Sequence, residues 1–164
     1  AAIEQVRAQL ARLEDVGFMP IVPEGGPPGA AEFQRVGTVK ARRLNGRRWW
    51  TRRYGEWLSG DAGDWWVLDG NGERTVRDKV FRASHERLGH GRWRRIGIYR
   101  AWQVDEDLVL RTMEGKARAQ SGDWVVEGHH GERWPVPDDQ FRRAYRKTGP
   151  SAANGSRTRP SDPA

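Results

Sequence analysis

A twelve-residue segment occurs twice in this chain, and the repetition restricts the folds that the chain can adopt. Residues 63–74 and 122–133 share a Gly-Asp-Trp start and a Gly-Glu-Arg end, aligned at an offset of 59. Five further identities lie outside this segment at an offset of 60. They pair Arg35, Gly37, Ala41, Gly55 and Phe81 with Arg95, Gly97, Ala101, Gly115 and Phe141. We therefore predict a tandem duplication of a module of about 50 residues, near the lower size limit for an independent core.

Each copy has the sequence pattern of a small antiparallel β domain. Short apolar segments alternate with turn sequences, of which Asn45-Gly46 is a strong hairpin signal. The predicted strands of the first copy are 36–44, 47–53, 57–58, 64–68 and 73–76, with a helix over 80–87. Those of the second copy are 96–104, 108–113, 116–119, 123–127 and 132–136, with a closing helix that starts at 137. The fold class that we expect is mainly β, with two tandem SH3-like barrels; the OB-fold is the alternative.

The chain divides into six predicted parts. Apolar residues at spacings of three and four predict an N-terminal amphipathic helix over 1–17, and the Pro and Gly content of 18–34 predicts a linker. The two modules follow, and the last residues are rich in Ser, Pro, Gly and Asn, which is typical of disorder. The later parts are 35–87 for the first module, 88–94 for the joint, 95–147 for the second module and 148–164 for the tail.

The composition excludes several classes of protein. Cysteine is absent, which removes disulfides and thiolate metal sites from consideration. No apolar run approaches the roughly 18 residues needed to span a bilayer. We therefore expect a cytoplasmic protein that has no membrane segment, no cofactor and no bound metal.

Positive charge is concentrated in the first module. Residues 35–60 hold eight Arg or Lys against one acid, whereas 101–141 hold four against nine, within a formal net charge of +7. A localised basic field favours a polyanionic partner, above all DNA or RNA. Arginine accounts for 25 of the 29 basic residues, so an Arg-rich coding bias explains the charge equally well.

The segment 47–54 combines guanidinium groups with aromatic rings. On a strand, Trp49 and Trp50 point to opposite faces, and each face also carries arginines. An exposed face of this kind can stack bases on tryptophan and neutralise phosphates with arginine. The alternative is that one ring belongs to the core and the arginines make internal cation–π contacts. The predicted nucleic-acid-binding residues are Arg42, Arg43, Arg47, Arg48, Trp49, Trp50, Arg52, Arg53, Arg92, Arg94 and Arg95.

Carboxylates recur at equivalent turns of the two copies. Asp64 and Asp123 follow glycines at strand starts, where an aspartate can accept backbone N–H bonds within the turn. Glu73 and Glu132 follow glycines in hairpins, where they can pair with arginines on a neighbouring strand. This turn role explains the repetition better than acid–base catalysis does, so no catalytic residue is predicted.

The four histidines do not have the spacing of a metal site. His129 and His130 lie at a hairpin tip and form a predicted ligand loop, because loops on a rigid scaffold often carry contacts. An enzyme is the function that we expect least. A cleft that gathered Asp123, Glu132 and His130 would reopen that hypothesis.

Motifs in the second module resemble those of a family of small phage and prophage-type bacterial proteins. The matching segments are Thr-Met-Glu-Gly at 112–115, Gly-Asp-Trp-Val-Val-Glu-Gly at 122–128, Gly-Glu-Arg-Trp-Pro-Val at 131–136, and then Phe141 and Tyr145. That family carries Pro-Gly-Asp-Tyr or Pro-Gly-Asp-Trp, followed by Gly-Glu and a terminal Phe and Tyr; here Ser121 replaces the usual Pro. The resemblance covers 95–146 and implies a compact β domain of bacterial or phage origin, and it supplies no catalytic residues.

Together these features predict a non-enzymatic protein that binds nucleic acid through a basic, Trp/Arg-rich surface of the first module and joint. Two alternatives stay open. One is a protein-interaction, phage-assembly or regulatory module, with a partner bound by the N-terminal helix. The other is a binder of an anionic nucleotide in a pocket between the modules, acting in phage defence or its evasion.

Overall fold

The computed structural model describes residues 22–70 and 72–148, which form fourteen β-strands and two short helices. The predicted N-terminal helix over 1–17 and nearly all of the predicted tail lie outside the described residues. The elements in chain order are β1 (Ala31–Arg35), β2 (Thr38–Arg43), β3 (Arg48–Thr51), β4 (Trp57–Gly60), β5 (Trp65–Asp69), β6 (Gly72–Val76), α1 (Asp78–Ser84), β7 (His85–Gly89), β8 (Arg92–Arg95), β9 (Ile98–Gln103), β10 (Leu108–Thr112), β11 (Gly115–Ala119), β12 (Trp124–Glu127), β13 (Arg133–Val136), α2 (Asp138–Ala144) and β14 (Tyr145–Lys147). The prediction of a mainly β, antiparallel fold is confirmed.

The strands form two five-stranded sheets and two separate hairpins. The first sheet has the order β6-β5-β2-β8-β7 and the second the order β13-β12-β9-β1-β14. Strands β3 and β4 pair only with each other, and so do β10 and β11. The sheets are therefore not closed into barrels, and the prediction of SH3-like barrels is wrong. The Asn45-Gly46 turn does not join two paired strands; it leads the chain from the first sheet into the β3–β4 hairpin.

The strands divide into two halves, β1–β7 and β8–β14. The first strand of each half lies in the sheet that the other half mainly forms. Strand β1 pairs with β9 and β14, while β8 pairs with β2 and β7. The β1–β2 and β8–β9 connections meet at one place. There the Arg35 amide donates to the Gly97 carbonyl at 3.1 Å, and the Arg95 amide donates to the Gly37 carbonyl at 2.9 Å. Gly37 and Gly97 have φ of 98° and 105°, which glycine adopts without strain. The predicted linker over 18–34 thus overlaps β1, and the predicted joint over 88–94 is the β7–β8 hairpin of the first sheet.

The two sheets have the same strand order when each element is matched with the one 59 or 60 residues later, which pairs β1 with β8 and β2 with β9. Each sheet also packs a similar group of four aromatic rings. The rings are Trp65, Phe81, His85 and Trp93 at the first sheet, and Trp124, Phe141, Tyr145 and Phe33 at the second. Duplication as the origin of this similarity stays a prediction.

The short helices are fixed by the same contact in both halves. The indole N–H of Trp65 donates to Asp78 at 2.8 Å, and that of Trp124 donates to Asp138 at 2.9 Å. Asp138 therefore holds a core tryptophan instead of capping α2, which has no side-chain cap. Helix α1 ends at Ser84, because the chain turns extended at His85 to enter β7, so the prediction of a helix over 80–87 is wrong at its end.

Hydrogen bonds from the β3–β4 hairpin loop and from Arg77, which follows β6, join the two halves. The Tyr54 hydroxyl donates to Asp123 at 2.5 Å, and the Arg52 guanidinium donates to the Pro135 carbonyl at 2.9 Å. Arg77 likewise donates to the Met113 carbonyl at 2.7 Å. None of the helices in the described part of the chain is long and apolar enough to cross a bilayer.

Candidate nucleic-acid interface

One face of the first sheet presents basic side chains to solvent. Side chains alternate along β2, so Lys40 and Arg42 share the face that points away from the core. Lys40 lies opposite Arg92 on β8, and Arg42 lies opposite Trp66 on β5. The four basic side chains of this face are exposed. We call Lys40, Arg42, Trp66, Arg92 and Arg94 the open basic face.

An arginine from the β3–β4 hairpin joins this face by stacking. The guanidinium carbons of Arg42 and Arg48 lie 4.5 Å and 4.0 Å from the centroid of the Trp66 ring. Arg48 also pairs with Glu73 at 3.3 Å. A stacked guanidinium keeps its N–H donors in the plane of the group, where they can bind phosphate oxygens. The stack therefore holds Arg42 in a fixed orientation at the surface.

The corresponding face of the second sheet is covered. Arg100, which matches Lys40 at an offset of 60, donates to the carbonyls of Gly25 and Ala30 at 2.6 Å and 3.0 Å. The Gly25 amide donates to Glu127 at 2.8 Å, and Glu127 also pairs with Arg133 at 2.6 Å. Residues 22–30 thus lie across this face, and its charges are neutralised internally. The first sheet has the same architecture with an uncovered, basic outer face.

Several of the predicted binding residues are held by carboxylates of the chain itself. Arg47 pairs with Asp61 at 2.9 Å, Arg94 pairs with Glu86 at 3.4 Å, and Arg43 lies 3.5 Å from Asp78. Arg53 makes two hydrogen bonds to Asp139, at 2.7 Å and 2.9 Å, and these bonds raise its pKa. These arginines brace turns and the contact between halves, although their side chains stay accessible at the surface.

Two of the predicted residues are buried, which corrects their assignment to an exposed surface. Arg52 lies between the halves, 3.7 Å from Glu56, and burial lowers its pKa. Arg95 is 9% exposed and pairs with Asp69 at 2.6 Å. Neither side chain can contact a nucleic acid on the outer face of the sheet. Local sequence could not reveal this, because the carboxylate partner of Arg95 and the Pro135 carbonyl that binds Arg52 come from distant segments.

The two adjacent tryptophans take different roles. The Trp50 indole N–H donates to the Thr75 hydroxyl at 2.7 Å, which fixes the β3–β4 hairpin against β6. Trp49 points the other way and is 48% exposed. The alternation expected for a strand is therefore present, and one ring packs internally as the alternative interpretation had it. Among the described residues, Trp49 makes no ring-stacking or cation–π contact with a member of the open basic face.

The repeated aspartates take the predicted turn role. Of the two glutamates, Glu73 pairs with an arginine, Arg48, whereas Glu132 accepts a backbone amide instead. Asp64 accepts the Asp61 amide and Asp123 accepts the Gln120 amide, both at 2.9 Å. Glu132 accepts the His130 amide at 2.9 Å, so it closes the hairpin tip.

The predicted ligand loop is exposed at this tip, where the His129 ring lies 5.5 Å from the Tyr99 ring. His130 lies 4.0 Å from Glu132, and neither histidine joins the open basic face. Within residues 22–70 and 72–148, no group of three or more His, Asp or Glu side chains could hold a metal ion.

Two members of the open basic face were missed by the sequence reasoning. Lys40 and Trp66 fall inside the predicted strands 36–44 and 64–68. Alternation from Arg42 places Lys40 on the same face, and this signal was present in the sequence. Trp66 could not be assigned to a face without knowing that β2 pairs with β5.

Comparisons of the chain with protein-family models, curated proteins and solved structures gave no match. The resemblance to small phage-type proteins therefore stays a prediction.

Proposed function

We propose that this protein binds nucleic acid through the open basic face of its first sheet. The observation that supports the proposal is the contrast between the two sheets. One outer face is covered by residues 22–30, and the other exposes Lys40, Arg42, Arg92 and Arg94 around a stacked tryptophan. A flat basic sheet face with a fixed guanidinium suits a phosphate backbone.

The proposed contacts are mainly electrostatic. Strands in a sheet lie about 4.8 Å apart, so charges on β2 and β8 are close enough to contact neighbouring phosphates of one strand of nucleic acid. Trp66 orients Arg42 instead of stacking a base, because the guanidinium groups of Arg42 and Arg48 already lie over its ring. Binding to DNA or RNA should therefore show little sequence preference and a steep dependence on salt.

Fluorescence anisotropy with labelled single-stranded DNA and RNA tests this proposal at several salt concentrations. The double variant Arg42→Gln/Arg92→Gln should bind more weakly than the unaltered protein. Its slope of log affinity against log salt should fall by about 1.4, because each lost phosphate contact on a single strand removes about 0.7 unit.

Arg142→Gln provides a matched control. It removes one guanidinium charge, against two in the double variant, from an exposed arginine on α2, in the other half of the molecule, where Arg142 pairs with Asp138. This variant should bind as the unaltered protein does. Binding that is absent, insensitive to salt or unchanged in the double variant would contradict the proposal.

A further inference from the structure

A cavity of about 570 Å³ lies between the two halves of the molecule. Both sheets and both hairpins contribute to its wall, with Arg35 from β1, Arg74 from β6 and Arg95 from β8. Arg53 and Arg77 stand at its rim, where their side chains are 42% and 39% exposed, so solvent reaches it. This volume falls within the roughly 300–1,000 Å³ range of small-ligand sites.

Three arginines of this cavity have between them one carboxylate, Asp69, as an ion-pair partner among the described residues. Arg74 and Arg95 both hydrogen bond to one oxygen of Asp69, at 2.5 Å and 2.6 Å. Arg35 lies over the Tyr145 ring at 5.8 Å and makes no ion pair with a described carboxylate. We call Arg35, Arg74 and Arg95 the arginine cluster. With Asp69 ionised, the cluster has a formal excess of two positive charges.

The cluster also contains buried hydrogen-bond donors that lack acceptors. Among the described residues, no partner is found for Nε of Arg35, Nη2 of Arg74, Nε of Arg95 or the Tyr145 hydroxyl. A buried donor without an acceptor is unfavourable, and folded proteins contain few of them. Four such groups on one cavity wall are what an anion with several oxygens would satisfy.

Burial and mutual repulsion make the charged state of the arginine cluster less favourable. Burial, together with the neighbouring Arg74 and Arg35, lowers the pKa of Arg95 to about 10. Burial and Arg35 also lower the pKa of Arg74. The nearby His85 has a pKa lowered to about 2, first by burial and then by the same arginines, so it adds no further charge. A bound anion would offset the repulsion among the guanidinium groups.

The remainder of the wall is partly apolar. Trp134, Pro135 and Val136 from β13 line the cavity, together with Met113 from the β10–β11 turn. A single inorganic ion would leave this part unfilled. An aromatic or heterocyclic group attached to the anion could pack against it.

We propose that the arginine cluster binds the phosphate group of a small phosphorylated molecule of about nucleotide size, with the organic part against Trp134 and Pro135. A phosphate monoester carries about −1.5 to −2 charges at neutral pH, which matches the excess of the cluster. Guanidinium forks bind phosphate oxygens in pairs, and the unpartnered donors supply the hydrogen bonds. This site is separate from the open basic face, because its residues face the interior between the halves.

Isothermal titration with adenosine monophosphate, inorganic phosphate and adenosine tests the proposal. One molecule of the monophosphate should bind per chain, and adenosine, which lacks the phosphate, should not bind. The variants Arg35→Gln and Arg74→Gln should each weaken binding at least about tenfold, because each removes charged hydrogen bonds. Inorganic phosphate that binds as tightly as the monophosphate would assign the site to free phosphate; weaker binding would assign it to a phosphate ester.

Arg92→Gln is the matched control, since it removes the same charge from the open basic face. It should leave monophosphate binding unchanged, and Arg35→Gln should leave nucleic-acid binding unchanged. The proposals for the two sites can therefore be contradicted independently. If a cavity variant does not fold, the unaltered protein still decides: the monophosphate must raise its melting temperature and adenosine must not. The proposal would be overturned if the unaltered protein bound neither phosphate probe. It would also be overturned if both cavity variants folded and bound the monophosphate as tightly as the unaltered protein does.

Discussion

At the scale of single residues, Glu114 is a partly buried acid whose raised pKa makes stability depend on pH. Its side chain is 19% exposed at the β10–β11 turn, and burial raises its pKa from 4.5 to about 7. Arg77 opposes this shift from 3.9 Å, and Arg74 opposes it from farther away, while Asp64 and Glu132 add to it. The folded chain therefore holds a proton on Glu114 that the unfolded chain has released at the same pH.

We predict that Glu114→Gln changes the pH dependence of stability. Because the folded pKa is the higher one, the free energy of unfolding falls as pH rises from 4.5 to 7 and does not recover above that window. A shift of this size corresponds to about 3 kcal/mol. Glutamine cannot ionise, so the variant should gain about this much relative to the unaltered protein between pH 4.5 and 8. Urea unfolding at several pH values measures the difference.

Far-UV circular dichroism at each pH serves as the control that both proteins start folded. A stability difference that stays constant from acidic to alkaline pH would contradict the assignment of a raised pKa to Glu114. The sequence predicted the turn at this position but not the buried acid, because its burial depends on Arg77 and β4 packing against it from the other half.

At the scale of elements, the local sequence pattern predicted most of the strands. It did not predict that β1 and β8 are exchanged between the two sheets. The alternation in 38–43 and 98–103, and the turns that follow, correctly placed the central strands of both sheets. Strand β1 was assigned to a linker, because only Phe33 in Ala31–Arg35 is a large apolar residue and prolines precede it. The matching Arg35 and Arg95 at an offset of 60 did signal two equivalent strands. Which sheet each strand joins depends on long-range pairing, which no local pattern carries.

We predict that Phe33→Ala destabilises the protein by about 3–5 kcal/mol, as expected for removing a buried phenylalanine. Phe33 is 8% exposed and packs edge-on against Trp124 at 5.5 Å and Phe141 at 4.9 Å, so the lost contacts belong to the core under the second sheet. Gln34→Ala, on the exposed side of the same strand, is the control and should change stability little. Near-UV circular dichroism and urea unfolding measure both variants. If residues 31–35 were a linker, the two variants would behave alike.

At the scale of the whole molecule, arginines are grouped in two places, one on the surface and one in the interior. The open basic face lies on the outer side of the first sheet, and the arginine cluster lies between the halves where the exchanged connections cross. The sequence predicted a basic first half, and it left a pocket between the modules open as an alternative. It could not separate Arg95 from its neighbours Arg92 and Arg94, because strand alternation alone does not say which face of β8 meets the other half.

The interlocked halves should unfold together in one transition. Each sheet contains a strand that comes from the other half of the chain, and Tyr54, Arg52 and Arg77 make hydrogen bonds across the contact. Neither sheet can lose its strands without leaving the other with unpaired backbone groups, which is unfavourable. We predict that tryptophan fluorescence and far-UV circular dichroism give coincident urea transitions, and that Phe33→Ala shifts both by the same amount. Tandem modules that each held their own strands would instead give two transitions, with only that of the first module, which would then contain Phe33, shifted by this substitution, and that result would contradict the exchange of β1 and β8.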